Sequence, residues 1–76
     1  MAKFYVSKHT EAEAIADIIT ELTGFRPTIF GEGVGYVVQQ NDLRQSAVED
    51  MIYDRGLKHL LDKDAIARIE WERNVR

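Results

Sequence analysis

The chain predicts an α+β fold of the ferredoxin-like kind: four antiparallel strands in the order strand, helix, strand, strand, helix, strand, with both helices on one face of the sheet. Three observations lead there. The N-terminus is rich in aromatic and β-branched residues, a run of isoleucines at helical spacing follows and stops at Gly24, and a glycine-marked hairpin precedes a second helical run.

Lys3 to Ser7 (K-F-Y-V-S) reads as the first strand, with Phe4 and Val6 on one face and Lys3, Tyr5 and Ser7 on the other. Thr10 stands three positions before Glu13 in the pattern of a capping box, and Ile15, Ile18, Ile19 and Leu22 follow at helical spacing. A helix over residues 11–23 is expected. Gly24 is placed to end it in the left-handed conformation, with Phe25 folding back on Ile19.

Arg26 to Phe30 reads as a second strand, at an edge or a strand start because Pro27 lacks an N–H for the ladder. Gly31, Glu32 and Gly33 form the expected hairpin loop, and Val34 to Gln39 the returning third strand. Asp42 and Gln45 repeat the capping spacing before Leu43, Ala47, Val48, Met51 and Ile52, so a second helix is expected, closed by Gly56. Leu57, Leu60 and Leu61 suggest a short helical turn on the core. In the tail, Ala65, Ala67, Ile69 and Trp71 alternate with Arg68, Glu70 and Glu72, which predicts a fourth, half-buried strand over residues 64–73. Its residue types also suit a helix, on which Arg68 and Glu72 would pair.

Seventy-six residues make one small domain, 1–76, near the lower size limit for a single apolar core. The formal net charge is −3, which disfavours generic attraction to nucleic acid, and no DNA contact is expected. With no cysteine, disulfides and thiolate metal sites are excluded, and the absence of any long apolar run speaks against export or membrane insertion. The expected location is the cytoplasm.

Glu32 to Gln39 (E-G-V-G-Y-V-V-Q) resembles the third strand of the RNA recognition motif at Gly33, Gly35, Tyr36 and Val37. F-Y-V at positions 4–6 resembles that family's first strand. The resemblance implies base stacking on Tyr5 and Tyr36 in single-stranded RNA. It departs from the family at Glu32, where a basic residue stands, and at Val34 and Gln39, where aromatics stand.

If Phe4, Val6, Gly35 and Val37 face the helices, the open sheet face shows Tyr5, Val34, Tyr36 and Val38, the first candidate binding surface. In the opposite register the helices take Tyr36 and the open face has Val37. A second candidate is the acidic stripe of Glu13, Asp17 and Glu21, four apart on the first helix with no basic residue at intervening helical positions. A basic partner would suit it, and a plain solvated face would look the same.

Gly31, Gly33 and Gly35 suit a hairpin better than a phosphate cradle, which would lead into a helix N-terminus. His9 and His59 lack ligand-spaced neighbours, Asp62-Lys63-Asp64 lacks the spacing of a calcium loop, and Ser7 and Ser46 lack an activating motif. No catalytic residue, metal or cofactor is expected, and Tyr53 and Trp71 are expected to pack the core or a sheet edge. The reading is a non-enzymatic domain that binds a protein or a second copy of itself, with RNA as the alternative and a small enzyme or ligand-binding domain as a third class. In size and style, though not in motif, it looks like the stand-alone inhibitors and regulators of host proteins that bacteriophages encode.

Overall fold

The computed structural model describes residues 1–75. They form one α+β domain with a three-stranded antiparallel sheet and three helices, not the expected four-stranded sheet. In chain order the elements are β1 (Ala2–Val6), α1 (His9–Thr23), β2 (Ile29–Glu32), β3 (Gly35–Gln40), α2 (Gln45–Asp54), a single 3₁₀ turn at Lys58–Leu60, and α3 (Lys63–Asn74). The sheet order is β1-β3-β2.

The fourth strand is the correction. Residues 63–74 are helical, and of the four alternating apolar positions only Ala65 and Ile69 are buried. These two are one helical turn apart, so the alternation hid an i, i+4 pair. Asp62 caps the helix by accepting from the Ala65 N–H at 2.8 Å. Arg68 then donates to Glu72 on its own helix and to Glu49 and Asp50 on α2, at 3.1–3.2 Å, which fastens α3 to α2. Trp71, expected in the core or at an edge, is 67% exposed on α3.

Without a fourth strand, β1 is an edge strand. Its outer side is closed by a side chain instead of a ladder: the Gln45 carboxamide accepts from the Lys3 N–H at 2.7 Å and donates to the Lys3 carbonyl at 3.1 Å. Gln45 had been read as part of a capping box with Asp42. It is the first residue of α2, and its amide pairs with the strand as a neighbouring peptide group would.

α1 begins two residues earlier than expected. Lys8 is the N-cap and its N–H is taken by the Glu11 carboxylate at 3.1 Å, so Glu11 does what Glu13 was expected to do. Gly24 ends the helix at φ 82°, its N–H bonded to the Thr20 carbonyl. Phe25 does not fold back on Ile19. Its side chain is exposed, and its N–H donates to the Thr23 hydroxyl, which itself donates to the Ile19 carbonyl.

The hairpin turn is two residues long, Gly33-Val34, closed by the Glu32↔Gly35 pair. Gly33 has φ 60° and no non-glycine residue has positive φ, the pattern of a type II′ turn. β1 and β3 pair Phe4 with Val38 and Tyr5 with Val37. Phe4 and Val38 are buried with Ala2, Ile15, Ile18, Ile19, Val48 and Ile52, which places the core between one sheet face and the two helices α1 and α2.

Gly35 meets the end of β1 at close quarters. A Cβ built there would come 2.5 Å from the Val6 carbonyl oxygen, a backbone atom with little freedom to move. A Cβ at Gly31 would meet nothing within 4 Å, and its φ is not positive. Gly35→Ala is therefore expected to cost about 1–3 kcal/mol, while Gly31→Ala stays within about 0.5 kcal/mol of the parent. Urea unfolding of both variants checks the contrast.

Candidate functional site

Strand periodicity sets what each sheet face shows. Because Phe4, Val38 and Ile29 contact the helices, Tyr5, Val37 and Phe30 point the other way, and the register aligns these three as one row across the sheet. Val37 sits in the middle at 2% exposure, while Tyr5 and Phe30 flank it at 63% and 52%. A buried valine on an uncovered face is one whose neighbours shield it. The aromatic flanks therefore carry the accessible apolar surface, with exposed Met1 near Gln39, whose amide donates to the Met1 sulfur at 3.3 Å.

Of the two registers open to the sequence, the structure has the second. Tyr5 lies on the open face as expected. Tyr36 and Val38 do not: Val38 is in the core, and Tyr36 packs against the helix-side cluster with the His9 ring edge-on at 5.1 Å. Val34 is fully exposed at the tip of the hairpin turn and belongs to neither face. The two tyrosines that would stack bases thus lie on opposite sides of the sheet, and the arrangement implied by the RNA recognition motif is not formed.

Phe30 was missed. The sequence reading put the hairpin loop at residues 31–33, whereas a II′ turn with Gly33 at its first central position pairs Phe30 with Val37. The turn type carried the signal. Lys3 and Glu32 were missed as well, and they are the only charged residues in the three strands. Lys3 holds its ammonium 5.2 Å from the centre of the Tyr5 ring, and its pKa is raised chiefly by Tyr5 and, to a smaller degree, by the Glu32 carboxylate.

The acidic stripe of α1 is not a run of free carboxylates. Asp17 pairs with Arg26 at 2.6 Å, Glu21 with Arg55 from the end of α2, and Glu13 lies 3.0 Å from the His9 ring nitrogen Nδ1. The partners come from outside the helical neighbourhood that a sequence reading inspects. Each lost negative charge weakens the surface that a basic partner would recognise.

Tyr53 donates its hydroxyl to Glu70 at 3.0 Å, which raises its pKa, and its ring carries the Lys58 and Arg73 cations. It joins α2 to α3. The concavities are shallow: a groove of about 240 Å³ runs beside β1 along Lys3, Gln45 and Leu61, and one of about 250 Å³ lies by Phe30 and Gln39. Neither reaches the size usual for a small-molecule pocket. Among the described residues no cluster of three His, Cys, Asp or Glu side chains could hold a metal ion, and no helix is long and apolar enough to cross a membrane.

Comparison with models of known protein families, with curated proteins and with solved structures gave no match.

The ion pairs separate surface decoration from attachment. Asp17→Lys sets a lysine against Arg26, so it should leave thermal stability unchanged or marginally lower. Arg68→Ala strips three carboxylates of their partner, among them Glu49, whose side chain is only 13% exposed. It should cost roughly 1–2 kcal/mol in chemical denaturation.

Proposed function

We propose that this domain is a non-enzymatic binding module whose partner is a protein, and that the open sheet face is its contact surface. The observation that carries the reading is the Tyr5–Val37–Phe30 row, apolar and aromatic, on a face that no helix covers. Aromatic side chains give large contact area at small conformational cost, and they are over-represented among residues that dominate interface energetics. A contiguous apolar patch on a small domain is a common mark of such a contact.

The acidic stripe is the weaker candidate, because Asp17 and Glu21 already have arginine partners and Glu13 lies against the His9 ring. RNA is weaker too, since the open face offers bases one tyrosine, one phenylalanine and one lysine, and carries the acidic Glu32 as well. A host protein, bound in the manner of a small phage inhibitor, and a second copy of this chain are the two classes of protein partner that the face suits.

Capture from the native host's lysate, with and without nuclease, tests the reading with three baits. The parent chain should retain a protein whether or not nuclease is present. Phe30→Asp should lose it, with capture reduced by about tenfold or more, as for an anchor aromatic. Trp71→Asp, on the far helix, should keep it. Capture lost on nuclease treatment would move the function to RNA, and capture indifferent to Phe30 would remove the sheet face as the site.

A further inference from the structure

On the reading that the open sheet face is a protein contact, we propose that its occupant is a second copy of this chain, seated face to face about a two-fold axis that passes over Val37. The argument is one of position and charge. Lys3 pairs with Gln39 in the row on one side of Val37, and Glu32 pairs with Gly35 in the row on the other. Lys3 is on β1 and Glu32 on β2, the two edges of the sheet.

The two residues therefore stand, by their backbone positions, at diagonally opposite corners with Val37 midway between them. With strands about 5 Å apart and alternate residues about 7 Å apart, each lies roughly 8 Å from that centre. A two-fold axis in the plane of contact, perpendicular to this diagonal, exchanges the corners. It sets Lys3 of each copy against Glu32 of the other, twice over, as an isologous contact requires.

The same axis makes the strands of the two copies cross steeply, near the orthogonal class of sheet packing. Tyr5 and Phe30 of each copy then lie over the middle of the opposite face and shed water there. No other charged side chain lies in the strands, so Lys3 and Glu32 set the charge pattern that the strands present to the contact. Other two-fold placements lose this. An axis along or straight across the strands sets Lys3 over a corner that carries no charge and leaves Glu32 without a partner.

The test uses the full chain and two single reversals, Lys3→Glu and Glu32→Lys, in sedimentation equilibrium up to high micromolar concentration. Glu32 is exposed and Lys3 half-buried, and neither belongs to the core, so each variant should keep the parent's fold and near-parent thermal unfolding, which circular dichroism verifies. The parent should sediment at twice the chain mass. Each reversal alone puts two like-charged pairs in the contact and should raise the dissociation constant by about tenfold or more.

Mixing the two variants in equal amounts should restore the dimer, because the mixed pair has opposite charges at both corners. Recovery on mixing supports the arrangement, since a contact elsewhere on the surface would not produce it. A monomeric parent, a dimer indifferent to both reversals, or variants that stay apart when mixed would overturn it. If the parent is monomeric while Phe30-dependent capture of another protein persists, self-pairing fails and the sheet face stands as a binding site. If both are absent, the reading of the face falls with it.

Discussion

The pairing of Phe4 with Val38 is the constraint on which the rest of the structure depends. Strand side chains alternate, so once these two are committed to the isoleucines of α1, every other residue of the sheet has its face assigned. Val37 is driven to the far side although it is as apolar as its neighbour. Tyr36 is drawn inward although its hydroxyl would suit water. A slip of one residue would exchange the two sets, which is why a buried core on one side specifies a defined surface on the other.

Edge management follows from the same sheet. A strand with one unpaired side invites addition of another strand, and proteins usually blunt it with charge, proline or a covering element. Here Gln45 does so with two hydrogen bonds to the Lys3 peptide groups. The amide also ties the start of α2 to the beginning of the chain, residues 42 apart in sequence. On the opposite edge β2 is only four residues long and follows Pro27, which leaves little ladder to extend. With both edges restricted, the broad face is where the sheet can meet another surface.

Much of the fold was legible, and the failures have physical causes. The isoleucines of α1 repeat at helical spacing for long enough to fix the element and its buried face. The glycine at its end did the same for the stop. The tail misled because Ala65, Ala67, Ile69 and Trp71 satisfy a two-residue period while only the first and third are used, at a separation a helix also provides. Its deciding features were the Asp62 cap and a tertiary ion cluster, the second of which no local pattern reveals. The phase of β3 was open because Tyr36, Val37 and Val38 are all suited to burial, so alternation carried no information there. As for the site, Tyr5 could be read from the sequence, whereas Phe30 depended on the turn type and the Lys3–Glu32 diagonal on the register of all three strands.

The attachment of α3 has a consequence for how the domain opens. It packs on α2 through Ala65 and Ile69, Arg68 with its carboxylates, Tyr53 with Glu70, and Arg73 with Asp54. Most of these contacts are polar and near the surface, while the main cluster joins the sheet to α1 and α2 without Ala65 or Ile69. Cooperative units of a protein come apart in order of the apolar area they bury. The C-terminal helix is thus the segment whose amide hydrogens exchange earliest by partial opening, while the strands and the first two helices retain theirs until the whole domain unfolds. A bound partner that covers the sheet would slow exchange at β3 and leave α3 free to breathe.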